Sequence, residues 1–237
     1  KASSLNNYKL LKTRITMSHS EDILQQGELF PGGPEKPFRI QGHLRNYSWP
    51  LCLQWLEFEG KTRFGKHFRL YNSDHSLIYK LTIYFIQDKQ EAQRLNLDLK
   101  KGILLTGPIG SGKTSLMKLF SNFPGTPGYQ FRSCRQLATA FMKLGFELIE
   151  SYSNSNSAIC FDDLGTEQSL KYYGNDTNVL GEILLSRYEK FADHHIKTHC
   201  TTNLNASELE AAYGNRLRSR LRESFNLLTL ESNDKRV

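Results

Sequence analysis

The sequence predicts an α/β domain built on a buried parallel sheet, and three observations predict it. Ile103-Leu104-Leu105 and Ala158-Ile-Cys-Phe161 are short, unbroken apolar runs, as expected of strands covered on both faces. The first run leads through a glycine-rich turn into Leu116, Leu119 and Phe120, which recur at helical spacing. From there to Leu230, strand-like and helix-like stretches alternate, the pattern of a three-layer α/β domain. We place this domain at residues 77–237 and a smaller N-terminal module at 1–76.

Composition agrees. With 237 residues, 38% hydrophobic and 23% charged, the chain suits one α/β domain plus a small module. No apolar run approaches the ~20 residues of a membrane-spanning helix, so no membrane partner is expected. The N-terminus, which begins at Lys1, offers no basic-then-apolar signal segment. Cys52, Cys134, Cys160 and Cys200 lie far apart without a C-x-x-C pair, which predicts buried free thiols and a reducing, cytoplasmic setting. The net charge of +7 is concentrated early, with 12 Lys/Arg against 7 Asp/Glu in residues 1–86. That balance permits contact with nucleic acid without requiring it.

Residues 1–35 are polar, with a linker at Pro31-Gly-Gly-Pro34. From Phe38 to Ile78, aromatics such as Tyr47, Trp49 and Trp55 interleave with Arg39, Arg45 and Lys61, and neither period is sustained. Such a mixture can stack bases and bind phosphates. Aromatics filling a small core beneath solvated cations is the preferred reading. Ser76 to Leu99 reads as one or two helices; Leu77, Tyr79, Leu81, Tyr84 and Phe85 fit either a core or the wall of a base pocket.

Gly107-Pro108-Ile109-Gly110-Ser111-Gly112-Lys113-Thr114 fits G-x-x-x-x-G-K-[ST] between a strand and a helix, with Ser115 next in the helix. The glycines let the backbone approach closely, and amides at the helix N-terminus face phosphate oxygens. Lys113 is expected to face solvent and reach the β- and γ-phosphates, with the Thr114 hydroxyl on Mg²⁺. This predicts binding of ATP or a similar nucleoside triphosphate, and of ADP as product.

Tyr129-Gln-Phe131 is a short strand, and Ser133-Cys-Arg-Gln136 a capping box for one helix running to about Ile149. Leu137, Phe141, Leu144 and Leu148 would form its buried stripe. The strand Ala158–Phe161 then ends in Asp162-Asp163-Leu164-Gly165, apolar residues followed by carboxylates, the Walker B pattern. Asp162 would hold Mg²⁺ and Asp163 would orient the attacking water. Lys171-Tyr-Tyr-Gly174 follows in a loop that could stack on single-stranded DNA, though a subunit contact or plain surface is preferred.

Asn175 and Asp176 are capping candidates for a helix from Val179 to Phe191. Ile196 to Thr202 is a further strand, ending at Asn203. Asn205-Ala-Ser-Glu208 opens a helix that Gly214 stops. In Asn215-Arg-Leu-Arg-Ser-Arg-Leu-Arg-Glu223, Arg216 and Arg220 share one face, and Leu217 and Leu221 the inward one. Phe225 to Leu230 supplies the last strand.

Taken together, the phosphate-loop motif, Phe161-Asp-Asp-Leu-Gly-Thr-Glu167, Thr201-Thr-Asn203 and Tyr213-Gly-Asn-Arg-Leu-Arg-Ser-Arg-Leu221 resemble the AAA+ ATPases of the DnaC-type helicase-loader and insertion-sequence helper group. The resemblance covers roughly residues 77–231. It implies that Asn203 polarises the water near the γ-phosphate and that Arg220 enters a neighbouring subunit's site as an arginine finger. Arg216 matches a second family arginine. It further implies a homo-oligomer with a replicative helicase or transposase as partner. Asp163 stands where many relatives carry Glu, so Glu167 is a second candidate base or a structural residue. No segment resembling the helical lid follows the last strand. A nucleotide-gated adaptor that binds ATP without turnover is the alternative. A small-molecule kinase has no evident use for Asn203 or the late arginines.

Overall fold

The computed structural model describes residues 12–17, 33–167, 170–172, 175–231 and 234–235. It forms two compact units, Lys1–Leu99 with Lys118–Gly128, and Lys100–Met117 with Tyr129–Val237. Most of residues 1–35, including Pro31 and Gly32 of the expected linker, lie outside the described residues.

In the first unit, β1 (Lys12–Thr16), β2 (Phe38–Gln41) and β3 (Leu44–Ser48) form a small sheet with β3 central. β1 runs parallel to β3 and β2 antiparallel to it. Helices α1 (Trp49–Phe64), α2 (His75–Ile86) and α3 (Lys89–Arg94) follow. α1 corrects the aperiodic reading of this stretch. Its buried face carries Leu51, Cys52, Trp55 and Leu56, while Phe58 and Phe64 are exposed and blur the pattern. Pro50 is tolerated because it lies in the first turn, where its missing N–H has no helical partner.

The aromatics do form a core. Trp55 meets Phe123 edge-on at 5.2 Å, and Phe85 stacks on Phe120 at 5.1 Å. The cations are not all solvated, however. Arg45 is buried, lies over the Phe38 ring at 4.8 Å and donates to the Gly125 carbonyl at 2.5 Å. Tyr47 donates to the Pro124 carbonyl at 2.9 Å. Leu81 and Tyr84 are buried within this unit.

The second unit is an α/β fold on five parallel strands. In chain order these are β4 (Gly102–Thr106), β5 (Gln130–Ser133), β6 (Ile159–Leu164), β9 (Thr198–Thr202) and β10 (Phe225–Thr229). In space the order is β10-β4-β9-β6-β5. Helices α4 (Lys113–Phe120), α5 (Cys134–Leu144), α6 (Phe146–Ser153), α7 (Val179–His194) and α8 (Ala206–Ser224) connect them, as parallel pairing demands. β7 (Leu170–Tyr172) and β8 (Asn175–Thr177) make an antiparallel ribbon. Phe141, Ile159, Phe161, Ile183, Cys200 and Leu217 are among the residues of one continuous core. All four cysteines are buried free thiols, and among the described residues no helix is long and apolar enough to cross a membrane.

Several local expectations change. Ser133 sits at the N-cap of α5 but its side chain makes no capping hydrogen bond. The single helix to Ile149 is two, broken at Gly145, and the break leaves Leu144 exposed rather than on the buried stripe. Asn175 and Asp176 belong to β8; α7 is capped by Asn178, whose Oδ1 accepts from the Gly181 amide at 2.9 Å. The capping box at Asn205 and Glu208 is present in both directions, and Gly214 (φ 82°, ψ 163°) breaks α8 into two helical halves. The Lys171 and Tyr172 backbones form part of β7, whereas Tyr173 and Gly174 lie outside the described residues.

One buried residue had no signal in the sequence. Arg187 on α7 donates to Thr198 Oγ1 at 2.7 Å and to the carbonyls of Tyr152, Ser155, Ser157 and Lys197 at 2.9 to 3.2 Å. Burial lowers its pKa to about 10. Its planar fork suits several carbonyls at once, which a lysine cannot match.

Candidate functional site

Strand register gathers the candidate residues at one edge of the sheet. β9 lies between β4 and β6, and Thr202 pairs with both Thr106 and Leu164. Gly107, Asn203 and Gly165 therefore each stand one residue beyond the same level. This is the carboxyl edge of parallel strands, where open α/β sheets place their ligands.

The phosphate-loop motif leaves β4 at Gly107 and enters α4 at Lys113. Gly107, Gly110 and Gly112 all have positive φ (149°, 80° and 101°), a path that side chains with a Cβ rarely follow. Pro108 and Ile109 are exposed, Ser111 is buried, and Ser115 is half-buried in the first turn of α4. Lys113 is buried rather than solvent-facing. Its ammonium donates to the carbonyls of Gly107 at 2.7 Å and Pro108 at 2.8 Å. Burial lowers its pKa, while the charges of Asp163 and Asp162 oppose that shift.

Thr114 and Asp162 meet directly: Thr114 Oγ1 donates to Asp162 Oδ1 at 2.9 Å. The same carboxylate oxygen accepts from Thr201 Oγ1 at 2.7 Å, and Thr201 Oγ1 accepts from the Asp163 amide at 2.8 Å. Sequence reading quoted Thr201 only as part of a motif and missed this role. Asp163 has φ 58°, and the β6–β9 register shifts between Phe161 and Leu164. That irregularity turns two consecutive carboxylate residues out of strict alternation, as bulges beside functional sites do.

The oxygen donors fit a hard cation. Mg²⁺ favours one or two protein oxygens completed by water and substrate phosphate, and Thr114 with Asp162 supplies such a pair. Among the described residues no group of three or more His, Cys, Asp or Glu could hold a metal alone.

No protein-family model matches the chain. Over 66 residues it is 41% identical to uncharacterized proteins of Staphylococcus aureus strains USA300 and MRSA252. That match covers 28% of this chain, which thus spans about a quarter (25%) of those relatives' length. Among solved structures it is similar to the DnaC helicase loader, with TM-score 0.49 and 18% identity over 68% of this chain and 92% of that one. It is also similar to the replication initiator DnaA bound to AMPPCP and single-stranded DNA, with TM-score 0.48 and 19% identity over 71% and 49%.

The remaining candidates are placed as follows. Asn203 is exposed at the end of β9. Its neighbour Thr202 donates to the Leu164 carbonyl at 2.7 Å and accepts from the Leu204 amide at 3.0 Å, which fixes the turn. Arg216 is exposed. Arg220 is not drawn to the phosphate loop of its own chain. It lies 4.4 Å from the centre of the Tyr188 ring, donates to Tyr188 Oη at 3.0 Å and pairs with Glu223 at 3.5 Å. Leu217 and Leu221 are buried as expected.

Glu167 has both oxygens engaged, Oε2 by the Gly165 amide at 3.0 Å and Oε1 by the Tyr213 hydroxyl. Burial raises its pKa. His199, in the middle of β9, accepts from the Ile103 amide through Nδ1 at 3.1 Å, and burial lowers its pKa to about 3. It is a neutral structural acceptor.

Proposed function

We propose that this chain is a Mg²⁺-dependent ATPase of the AAA+ type, assembling as a homo-oligomer on DNA. The observation that carries the reading is the direct contact between Thr114 and Asp162, 48 residues apart, beside a lysine held at the mouth of the phosphate loop. The phosphate-loop motif and the Asp162-Asp163 pattern, which is weak alone, meet with the donor chemistry that nucleotide and Mg²⁺ require.

In this reading Lys113 exchanges its two carbonyl partners for phosphate oxygens, and the loop amides orient the same group. Mg²⁺, when bound by Thr114 and Asp162, supplies charge neutralisation at the β- and γ-phosphates. Asp163 accepts a proton from the attacking water, and Asn203 holds that water in line. Arg220, freed from Tyr188 and Glu223, stabilises transition-state charge in the next subunit, with Arg216 beside it. Such fingers contribute about 10³–10⁵ in rate, so the isolated monomer should be nearly inactive. A role in helicase loading or transposition, in the cytoplasm and with single-stranded DNA nearby, follows from the motif resemblance.

Mixing two dead variants tests the shared site. Lys113→Ala removes the nucleotide grip but keeps the arginines, whereas Arg220→Ala keeps the grip. The mixture should regain part of the wild-type turnover, and turnover should rise with protein concentration. Tight ATP binding without turnover at any concentration, with or without DNA, would refute the shared site and favour a nucleotide-gated adaptor.

A further inference from the structure

The geometry points to a latch, formed by Glu167 and Tyr213, that ties the carboxylate turn after β6 to the arginine-bearing half of α8 and sets where that half stands. The inference rests on the proposed ATPase reading and adds positioning residues to it.

The latch bridges two elements that the chain separates widely. On one side is the turn that carries Asp163. Thr166 binds the Asp163 carbonyl through its amide at 3.1 Å and its hydroxyl at 2.7 Å. The Gly165 amide in that turn is held by Glu167. On the other side, Tyr213 is the last residue before the break at Gly214. The first half of α8 is anchored by its capping box and by Asn178, which donates to the Ala212 carbonyl at 2.9 Å. Beyond the break stand Arg216, Arg218 and Arg220. The short turn Asp163–Glu167, closed on itself by these hydrogen bonds, is thus tied through Glu167 to the residue beside a hinge.

Two features suit the pair to opening and closing. A carboxylate accepting from a phenol in partial burial makes a strong, directional bond that is lost by a small displacement. Beside it lies a cavity of about 100 Å³, lined by Ala138, Asn178, Val179 and Ala212 as well as by the pair itself. That space can admit water to both groups when the bond opens, so the open state leaves no buried group unpaired. With both oxygens occupied, Glu167 acts by position and not as the base.

Movement at the Asp163 turn on nucleotide binding should then alter the arginine-bearing half of α8. The test is amide hydrogen exchange of residues 215–223, with and without Mg²⁺ and a non-hydrolysable ATP analogue. Wild type should show a nucleotide-linked change of about fivefold or more, the lower end of typical coupling between sites. Tyr213→Phe keeps the ring and removes only the hydroxyl. It should bind the analogue with wild-type affinity, lose that change, and show lowered kcat with unchanged KM. Glu167→Gln provides a second variant that retains an amide oxygen for Gly165. A merely structural pair predicts lower stability in both variants with the nucleotide-linked change intact, and that result overturns the latch. So does a wild type that binds nucleotide without any change in 215–223. A wild type that fails to bind nucleotide overturns the ATPase reading together with it.

Discussion

Thr201→Val isolates a single hydroxyl at the centre of the candidate site. Thr201 is fully buried, and valine keeps its shape while removing one donor and one acceptor. The lost donor serves a carboxylate at 2.7 Å, a class of bond contributing about 1.5–3 kcal/mol. The lost acceptor leaves the Asp163 amide without its partner, which costs about 1–3 kcal/mol in a buried setting. Better burial of a methyl than of a hydroxyl offsets part of this, so the expected net destabilisation is about 2–4 kcal/mol. That is a large share of the roughly 5–15 kcal/mol that holds a domain together. Urea unfolding followed by circular dichroism would measure it, with Thr201→Ser as the control that keeps both bonds. Asp162 also loses one of the two hydroxyl donors on its Oδ1, so Mg²⁺-dependent ATP affinity should fall about tenfold or more, as it does when outer partners of metal ligands are removed. Equal losses for Val and Ser, or a Val loss below about 1 kcal/mol, would refute the assignment of Thr201 as the orienting residue.

Two further substitutions probe the frame around it. His199 binds its proton far more weakly when folded, at about pH 3 instead of 6.5, so the unfolded chain holds more protons between those values and stability falls as pH drops. His199→Asn keeps an acceptor for Ile103 but cannot titrate. Between pH 6.5 and 5, wild type should lose about 2 kcal/mol more than the variant in denaturant titrations; parallel pH profiles would contradict a buried neutral imidazole. Gly165 has φ 96°, and a Cβ there would strike the Leu204 side chain. Gly165→Ala should therefore cost about 2 kcal/mol or more in unfolding free energy and lower turnover through the Asp163 turn; a neutral effect on both would show the turn to be pliable.

The parts of the site that could be read from sequence are those in which chemistry is concentrated in a few adjacent residues. The phosphate loop and the paired Asp162 and Asp163 each announce themselves within eight residues or fewer. Asn203 is a candidate only through the family resemblance of Thr201-Thr-Asn203. What escaped was fixed by partners distant in the chain. Thr201 was quoted without a role because its partner Asp162 is 39 positions away. Glu167 was left undecided because Tyr213 is 46 away. The burial of Lys113 has no sequence signal because the carbonyls that hold it belong to backbone, which carries no side-chain signature. In α1, Trp49 and Pro50 open the helix while Glu57–Lys61 and Glu59–Arg63 pairs line its surface, so apolar residues at several faces erased the period. Gly145 split a helix whose flanks both read as helical.

β9 has a consequence for how the sheet assembles. Its buried sequence Thr198-His-Cys-Thr-Thr202 is polar for a central strand, and four of its side chains bond to residues on α7, β4 and β6. Thr198 accepts from Arg187, His199 accepts from Ile103, Thr201 donates to Asp162, and Thr202 donates to Leu164. An apolar strand shifted by two residues keeps every side chain on its own face, because the side-chain period is two. A two-residue slip of β9 would instead strand four polar groups in the core. The strand that separates the phosphate-loop motif from Asp162 therefore admits one alignment, and misaligned folding intermediates are penalised by their unpaired polar groups.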